Sequence, residues 1–244
     1  MNIKVIQEKF AQALVHTNKA INSKPNIPVL SNVLLKASNG VLELSSTNLE
    51  IGVHAKIGAE IEEEGEITVS AKILYEFVNS LKPGKLELKT DGQRFVVNSV
   101  DNNAEFFTIP SDEFPSIPIA SGQPLATLNA LDFADALGKT TFAASSDNAR
   151  PVLTGLLFKI TKRKLTLVGV DGFRLSQKVL DITEGPETDF KEIIPARSLQ
   201  DVTKIIRDIS SEKDEIELYS LPEKNQVIFK IGDVELATRL IEGE

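Results

Sequence analysis

The stretch FAQALVHTNKAINSKPNIPVLSNVLLKASNGVLEL (residues 10–44) returns as FADALGKTTFAASSDNARPVLTGLLFKITKRKLTL (residues 133–167). A gapless shift of 123 residues gives 14 identical pairs in 35 positions. Chance agreement at ordinary composition would give roughly two or three. A period of this length is far longer than a solenoid unit, so the chain carries two copies of a whole domain.

The match between the copies resumes nearer their ends. Residues 70–74 (SAKIL) align with 195–199 (PARSL), and residues 108–113 align with 239–244. Residues 114–124, rich in Pro, Ser and Gly, are typical of a linker between domains. We therefore expect a first domain over residues 1–120 and a second over residues 125–244.

Each copy has the same predicted order of elements. An amphipathic helix comes first, with apolar residues at helical spacing after Phe10 and after Phe133. Short strands follow, and Asn39-Gly40 predicts a hairpin turn. A second helix is expected over residues 71–81 and 196–209, and three more strands close each copy. Two helices against antiparallel sheet indicate the α+β fold class.

The bulk composition is that of an ordinary soluble globular protein, with 41% hydrophobic and 25% charged residues. No apolar run approaches the ~20 residues that span a bilayer, and residues 1–10 do not resemble a signal peptide. The sequence has no cysteine and only two histidines, which excludes disulfides and thiolate metal sites. We expect a cytoplasmic protein with no membrane contact and no cofactor.

Three short motifs that could carry chemistry have simpler structural explanations. Gly138-Lys139-Thr140 resembles the end of a phosphate-binding loop, but Phe133 stands where that motif needs glycine. The glutamates of residues 59–66 lack the spacing of a calcium loop. Asp171-Gly172-Phe173-Arg174 could place a carboxylate beside a guanidinium, although Asp-Gly more often marks a tight turn. The sequence therefore predicts a protein that is not an enzyme.

Six short motifs, in order and with matching spacing, resemble the bacterial sliding clamp family, the beta subunit of DNA polymerase III. They are KPNIPVLSNVLL (24–35), STNLEI (46–51), IP (109–110), FP (114–115), RPVLTGLLF (150–158) and VDGFRL (170–175). The resemblance covers the whole chain. Asn48 and Val170 depart from the family, which has aspartate and threonine there. Family members also carry a third domain copy, so we expect a truncated chain.

The resemblance implies a ring of two three-domain protomers that encircles double-stranded DNA, with helices lining the channel. Taken as residues 8–22, 70–82, 131–144 and 196–209, the helices carry +1, +1, −1 and +1, whereas the whole chain carries −8. The resulting +2 on the helices fits a DNA-tolerant channel inside an acidic shell. The candidate phosphate contacts are cations on or near these helices: Lys24, Lys72, Lys139, Arg197 and Lys204.

The resemblance also implies partners that dock a short peptide between the second and third domains. These partners are the DNA polymerase III catalytic subunit, the clamp loader and other proteins with the clamp-binding motif. The matching pocket residues are Leu153, Val170, Gly172, Phe173, Arg174 and Leu175. Because a third domain would supply the remaining wall, we expect weak peptide binding by this chain alone.

A homodimeric ring is implied for the three-domain protein. The expected interface is an edge strand over residues 104–108, with Ala104 and Phe106 at the family's interface positions, although Phe106 could equally be a core residue. Two other classes of function stay open. One is a duplicated α+β protein with a small-molecule site near Asp171 and Arg174. The other is an interaction scaffold that never contacts DNA.

Overall fold

The computed structural model of the chain describes residues 1–22, 25–183, 185–186 and 189–243. Contacts divide the chain into two compact units, unit 1 (Met1–Pro118) and unit 2 (Ile119–Glu244). Each unit combines two helices with antiparallel strands, which confirms the α+β class. Within the described ranges, no helix has both the length and the apolar character needed to cross a membrane.

Unit 1 is one continuous run of antiparallel strands with two helices. Its strands follow the order β4-β3-β2-β6-β9-β8-β7-β1-β5. The elements in chain order are β1 (Asn2–Ile6), α1 (Gln7–Thr17), β2 (Asn32–Ser38), β3 (Val41–Thr47), β4 (Ile51–Gly58), β5 (Glu60–Glu63), β6 (Gly65–Ser70), α2 (Ala71–Ser80), β7 (Lys85–Asp91), β8 (Arg94–Asn98) and β9 (Asn103–Ile109).

Unit 2 repeats this plan with two four-stranded groups, ordered β13-β12-β11-β14 and β10-β15-β16-β17. Its elements are β10 (Ala126–Asn129), α3 (Ala130–Gly138), β11 (Gly155–Thr161), β12 (Lys164–Val170), β13 (Leu175–Asp181), β14 (Phe190–Pro195), α4 (Ala196–Ile209), β15 (Glu215–Leu221), β16 (Gln226–Ile231) and β17 (Val234–Arg239).

The two groups of strands in each unit meet at a narrow seam. In unit 1 the seam is the pairing of β6 with β9, which among the described residues joins Thr68 to Ile109 and Val69 to Thr108. In unit 2 it is an isolated bridge between Ile193 and Ile241. Inside the groups, by contrast, neighbouring strands such as β3 and β4 pair over seven residues.

The element boundaries reproduce the repeat of the sequence. Helices α1 and α3 begin 123 residues apart, and so do strands β2 and β11 and strands β3 and β12. The hairpin turn at Asn39-Gly40 is confirmed, because both residues have positive φ (52° and 77°) between paired Ser38 and Val41. The first helices end earlier than predicted, at Thr17 and Gly138, and near each end a threonine hydroxyl (Thr17 or Thr140) donates to a carbonyl of the preceding turn.

Helix α3 packs on the strands of unit 2 through an aromatic cluster. Phe133 of α3, Phe158 of β11 and Phe229 of β16 are fully buried. The ring centroids lie 5.9 to 6.4 Å apart, with two edge-to-face pairs and one stacked pair. Such geometry adds to the apolar burial that fixes α3 on the sheet. The residues after α3 are thereby placed beside the β12–β13 hairpin.

Candidate nucleic-acid interface and peptide site

Helix α4 presents one basic stripe outward and one apolar stripe inward. Leu199, Val202, Ile205 and Ile206 are buried. The exposed positions 197, 200, 204 and 207 recur at spacings of three and four, so Arg197, Gln200, Lys204 and Arg207 share one face. Arg207 also lies in the last turn, where a cation is favoured by the helix dipole. This stripe can contact phosphate groups.

The expected positive charge of the four helices is wrong for the helices as they form. Lys19, Lys82 and Lys139 all lie beyond helix ends. Within the observed bounds α1 and α2 are neutral, α3 carries −2 and α4 carries +1. The prediction failed because it extended the first three helices into flanking segments that hold these lysines. Of the four helices, α4 alone carries a net positive charge.

The candidate phosphate contacts occupy different settings. Lys24 lies outside the described residues. Lys72, Lys139 and Lys204 are exposed, and each has a carboxylate of its own helix region within salt-bridge distance. Arg197 is exposed on the first turn of α4 and forms no salt bridge within the part of the chain that the structure describes. Arg207 was not among the predicted contacts, although it is exposed three residues after Lys204 on the same helix face.

The turn after β12 is held by the carboxylate of Asp171. Its Oδ1 accepts hydrogen bonds from the backbone N–H groups of Phe173 and Arg174, both at 2.9 Å, and its Oδ2 accepts from Arg174 Nε at 2.9 Å. Gly172 has φ +93°, a conformation that glycine adopts without strain. The two backbone hydrogen bonds, then the Arg174 charge, hold the pKa of Asp171 below its usual 3.8.

We expect the stability of this turn to depend on pH through the Asp171 carboxylate. Because its pKa is lower in the folded state, its contribution to stability is present at neutral pH and is lost as pH falls through the folded pKa. The carboxyl ¹³C resonance should therefore titrate below 3.8. Asp171→Asn keeps an acceptor but removes the titration, so its urea midpoint should fall less on acidification. An ordinary carboxyl titration in the unsubstituted protein would contradict this.

The β12–β13 hairpin is docked on the segment that follows α3. The Ser176 hydroxyl donates to the Lys139 carbonyl at 2.6 Å. Gly169 allows the approach of the Thr140 carbonyl, because a Cβ there would lie 2.5 Å from that oxygen. The Arg174 guanidinium lies 5.5 Å from the ring centre of Phe142. Phe142 is a partly exposed aromatic residue beside the predicted pocket that sequence reasoning missed.

The predicted peptide residues come from two places in unit 2. Leu153 belongs to a short 3₁₀ turn (Pro151–Thr154), and the other residues, 170 and 172–175, form the end of β12, the turn and the start of β13. Arg150 connects the two, since its Nη1 lies 3.7 Å from where a Cβ on Gly172 would stand and its carbonyl accepts from Leu153 N–H. Leu153 and Val170 are half-buried, whereas Phe173 is 97% exposed.

The predicted interface strand has one partly open side. Strand β9 pairs with β8 along its length, from Asn103 to Phe107. On its other side Thr108 and Ile109 pair with β6, so within the described residues the unpaired stretch ends at Phe107. Phe106 is only 8% exposed and packs edge-to-face on Phe77, whereas Phe107 is 85% exposed. Strand alternation from a buried Phe106 could have identified Phe107.

Two family models match the two copies separately. The model described as the N-terminal domain of the DNA polymerase III beta subunit matches residues 1–118. The model of the central domain of the same subunit matches residues 127–244.

Curated relatives and solved structures agree with these matches. A "Beta sliding clamp" of Synechococcus elongatus is 32% identical over 98% of this chain, and one of Rickettsia bellii is 31% identical over 99%. The chain spans 64% of the length of each. A DNA polymerase III beta chain structure from Streptococcus pneumoniae has a TM-score of 0.90 at 30% identity, covering all of this chain and 65% of that one.

A structure described as a DNA polymerase III beta subunit, from Eubacterium rectale, gives a TM-score of 0.92 at 25% identity, over all of this chain and 66% of that one. Sequence repeat, fold and relatives thus agree over both units. The chain belongs to the DNA polymerase III beta subunit family, in which it matches the N-terminal and central domains.

Proposed function

We propose that this chain forms the first two domains of a sliding clamp, a processivity factor that encircles double-stranded DNA and tethers the replicative polymerase. One observation carries the proposal: each of the two repeated units matches its own domain of the same clamp family, in the family's order. Repeated units of one design suit a ring, because equivalent copies around an axis give a channel of near-constant lining.

Weak contact with DNA is what a sliding tether requires. Each neutralised phosphate adds salt-dependent affinity, so many tight contacts would oppose translocation. In the proposal, Lys24, Lys72, Lys139, Arg197 and Lys204 contact phosphates, and Arg207 joins them on the α4 stripe. The net charge of −8 supports retention by enclosure of the DNA rather than by tight binding to a positively charged surface. No base-specific contact is needed.

The proposed partners dock on unit 2. Leu153, Val170, Leu175 and the turn from Gly172 to Arg174 form one part of a site for the clamp-binding peptides of the DNA polymerase III catalytic subunit, the clamp loader and related proteins. Exposed apolar side chains beside a fixed guanidinium support this, because peptide sites combine apolar anchors with a few oriented polar groups.

The three-domain protein is proposed to close as a homodimer through the edge of β9. Ala104 and Phe106 are its predicted interface residues. Since Phe106 packs on Phe77 in unit 1, we propose that it supports the interface from beneath and that the exposed Phe107 adds apolar contact area. The protein is proposed to work in the cytoplasm.

A non-catalytic role is also part of the proposal. The Asp171 carboxylate is engaged by two backbone N–H groups and by Arg174, as in a structural turn. Its lowered pKa suits a permanent anion better than a general acid or base at neutral pH. These contacts favour the turn over a small-molecule site at Asp171 and Arg174.

Retention on circular DNA tests the proposal most directly. The chain, and the chain extended by the third domain of a relative, would each be treated with clamp loader on nicked circular duplex and passed through a sizing column. We expect the extended form to stay on circles and to be lost after linearisation, because enclosure depends on topology. The two-unit chain should not be retained. If neither form is retained on circles, the proposed function is wrong.

A further inference from the structure

Three of the lysines proposed to contact DNA are each paired with a nearby carboxylate, an arrangement that DNA affinity alone would not require. Lys72 lies 3.9 Å from Glu76, Lys139 lies 2.5 Å from Asp135, and Lys204 lies 2.9 Å from Asp201. Each carboxylate is three or four residues away along α2, α3 or α4, so each pair spans one helical turn. A phosphate that approaches any of these lysines meets an ammonium group that already has an anionic neighbour.

Such pairs hold their lysines only weakly. The three lysine side chains are more than half exposed, so solvent reaches each ammonium group, although the Asp201 carboxylate is itself buried. A lysine can therefore leave its carboxylate for a passing phosphate and return when the phosphate moves on. The carboxylate lowers the affinity for phosphate without blocking the contact.

Asp135 is the strongest case. Its hydrogen bond from Lys139 lowers its pKa, and the charges of Lys139, Lys178 and Arg207 add to this effect. Arg207 of α4 reaches the end of α3, where its Nη2 lies 3.7 Å from where a Cβ on Gly138 would stand. One carboxylate thus sits among three cations from three elements, and its removal would leave all three available to an anion.

We propose that Glu76, Asp135 and Asp201 act as internal competitors of DNA phosphate, keeping each lysine contact brief so that the clamp can slide. This inference rests on the proposed function and deepens it by naming acidic residues that set the DNA affinity. The simpler account, in which the pairs only stabilise helices, predicts no specific effect on DNA binding when a carboxylate is removed.

Asp135→Asn tests the proposal on the chain as it is, with Asp181→Asn as the matched control. Asp181 also pairs with a lysine, Lys164 at 3.6 Å, but lies on strand β13. Both substitutions change the net charge by the same amount. A short DNA duplex would be titrated into ¹⁵N-labelled protein at two salt concentrations, and amide shifts of α3 and α4 would report weak binding. Glu76→Gln repeats the test in unit 1.

We expect Asp135→Asn to bind the duplex more tightly, with one additional phosphate contact. That contact makes affinity fall about threefold further between 50 and 200 mM salt, because log K falls by about 0.9 per contact for each tenfold rise in salt concentration. Asp181→Asn should raise affinity less and leave the salt slope unchanged. Equal effects of the two substitutions would overturn the competitor proposal and leave the clamp function standing. Absence of shifts at α4 in every protein would overturn the competitor proposal together with the phosphate contacts on which it rests, whereas the clamp function itself is tested by retention on circular DNA.

Discussion

Phe133→Ala should destabilise unit 2 by about 3–5 kcal/mol, the range found for truncating a fully buried phenylalanine. Phe133 joins α3 to β11 and β16 through its contacts with the rings of Phe158 and Phe229. Its removal leaves a cavity at the centre of the cluster and deprives α3 of its main anchor. Because α3 leads into the segment on which the β12–β13 hairpin is docked, the turn at Asp171 should also lose order.

Native-state hydrogen exchange, read separately for α3 and α1 amides, is the measurement. Two units need not unfold together, so one global transition would not assign the loss to unit 2. Phe173→Ala is the control, since Phe173 is 97% exposed in the same unit and should change stability by less than about 0.5 kcal/mol. Similar exchange in both variants would contradict the packing described for Phe133.

Gly169→Ala should cost about 3 kcal/mol, the upper end of the usual range for overpacking. The new methyl group would lie 2.5 Å from the Thr140 carbonyl oxygen, which is backbone and cannot rotate away. We expect the β12–β13 hairpin to move off residues 139–144. The Ser176 hydrogen bond to Lys139 and the stacking of Arg174 on Phe142 should both weaken.

Urea denaturation together with the Arg174 Nε–H resonance would measure both effects of Gly169→Ala. Gly58→Ala is the matched control in a strand, because nothing lies within 4 Å of the added Cβ. It should change stability by less than about 1 kcal/mol, and in the stabilising direction, through reduced freedom of the unfolded chain. A Gly169→Ala protein as stable as this control would show that the hairpin can shift without loss.

The repeat made much of the fold predictable from sequence. A gapless offset of 123 residues fixed the equivalence of α1 with α3 and of β2 with β11 before any packing was known. The hairpin at Asn39-Gly40 was predictable because both positions need positive φ, which these residues tolerate. Helix ends were less predictable, since they depend on local contacts, such as the hydrogen bonds of the Thr17 and Thr140 hydroxyls, that periodicity does not report.

The candidate site was predictable in its residue types but not in its contacts. Resemblance identified Arg174, yet its neighbour Phe142 lies 32 positions earlier and comes close only through the docking of the hairpin. The net charges calculated for the first three helices over their predicted bounds were wrong, because a single lysine just beyond a helix end changes the net charge of the helix. The pairing of Lys72, Lys139 and Lys204 with carboxylates follows from i,i+3 and i,i+4 spacing and could have been predicted.

The narrow seams inside the two units have a mechanical consequence. A sheet resists sliding of its strands through the hydrogen bonds that cross between them, and stiffness is therefore lowest where those bonds are fewest. Unit 1 has two residue pairs across its seam and unit 2 has an isolated bridge between Ile193 and Ile241. When tension or torsion is applied to either unit, we expect the deformation to concentrate at its seam. The two strand groups should then each move as a nearly rigid body, with the change in geometry confined to the residues between them.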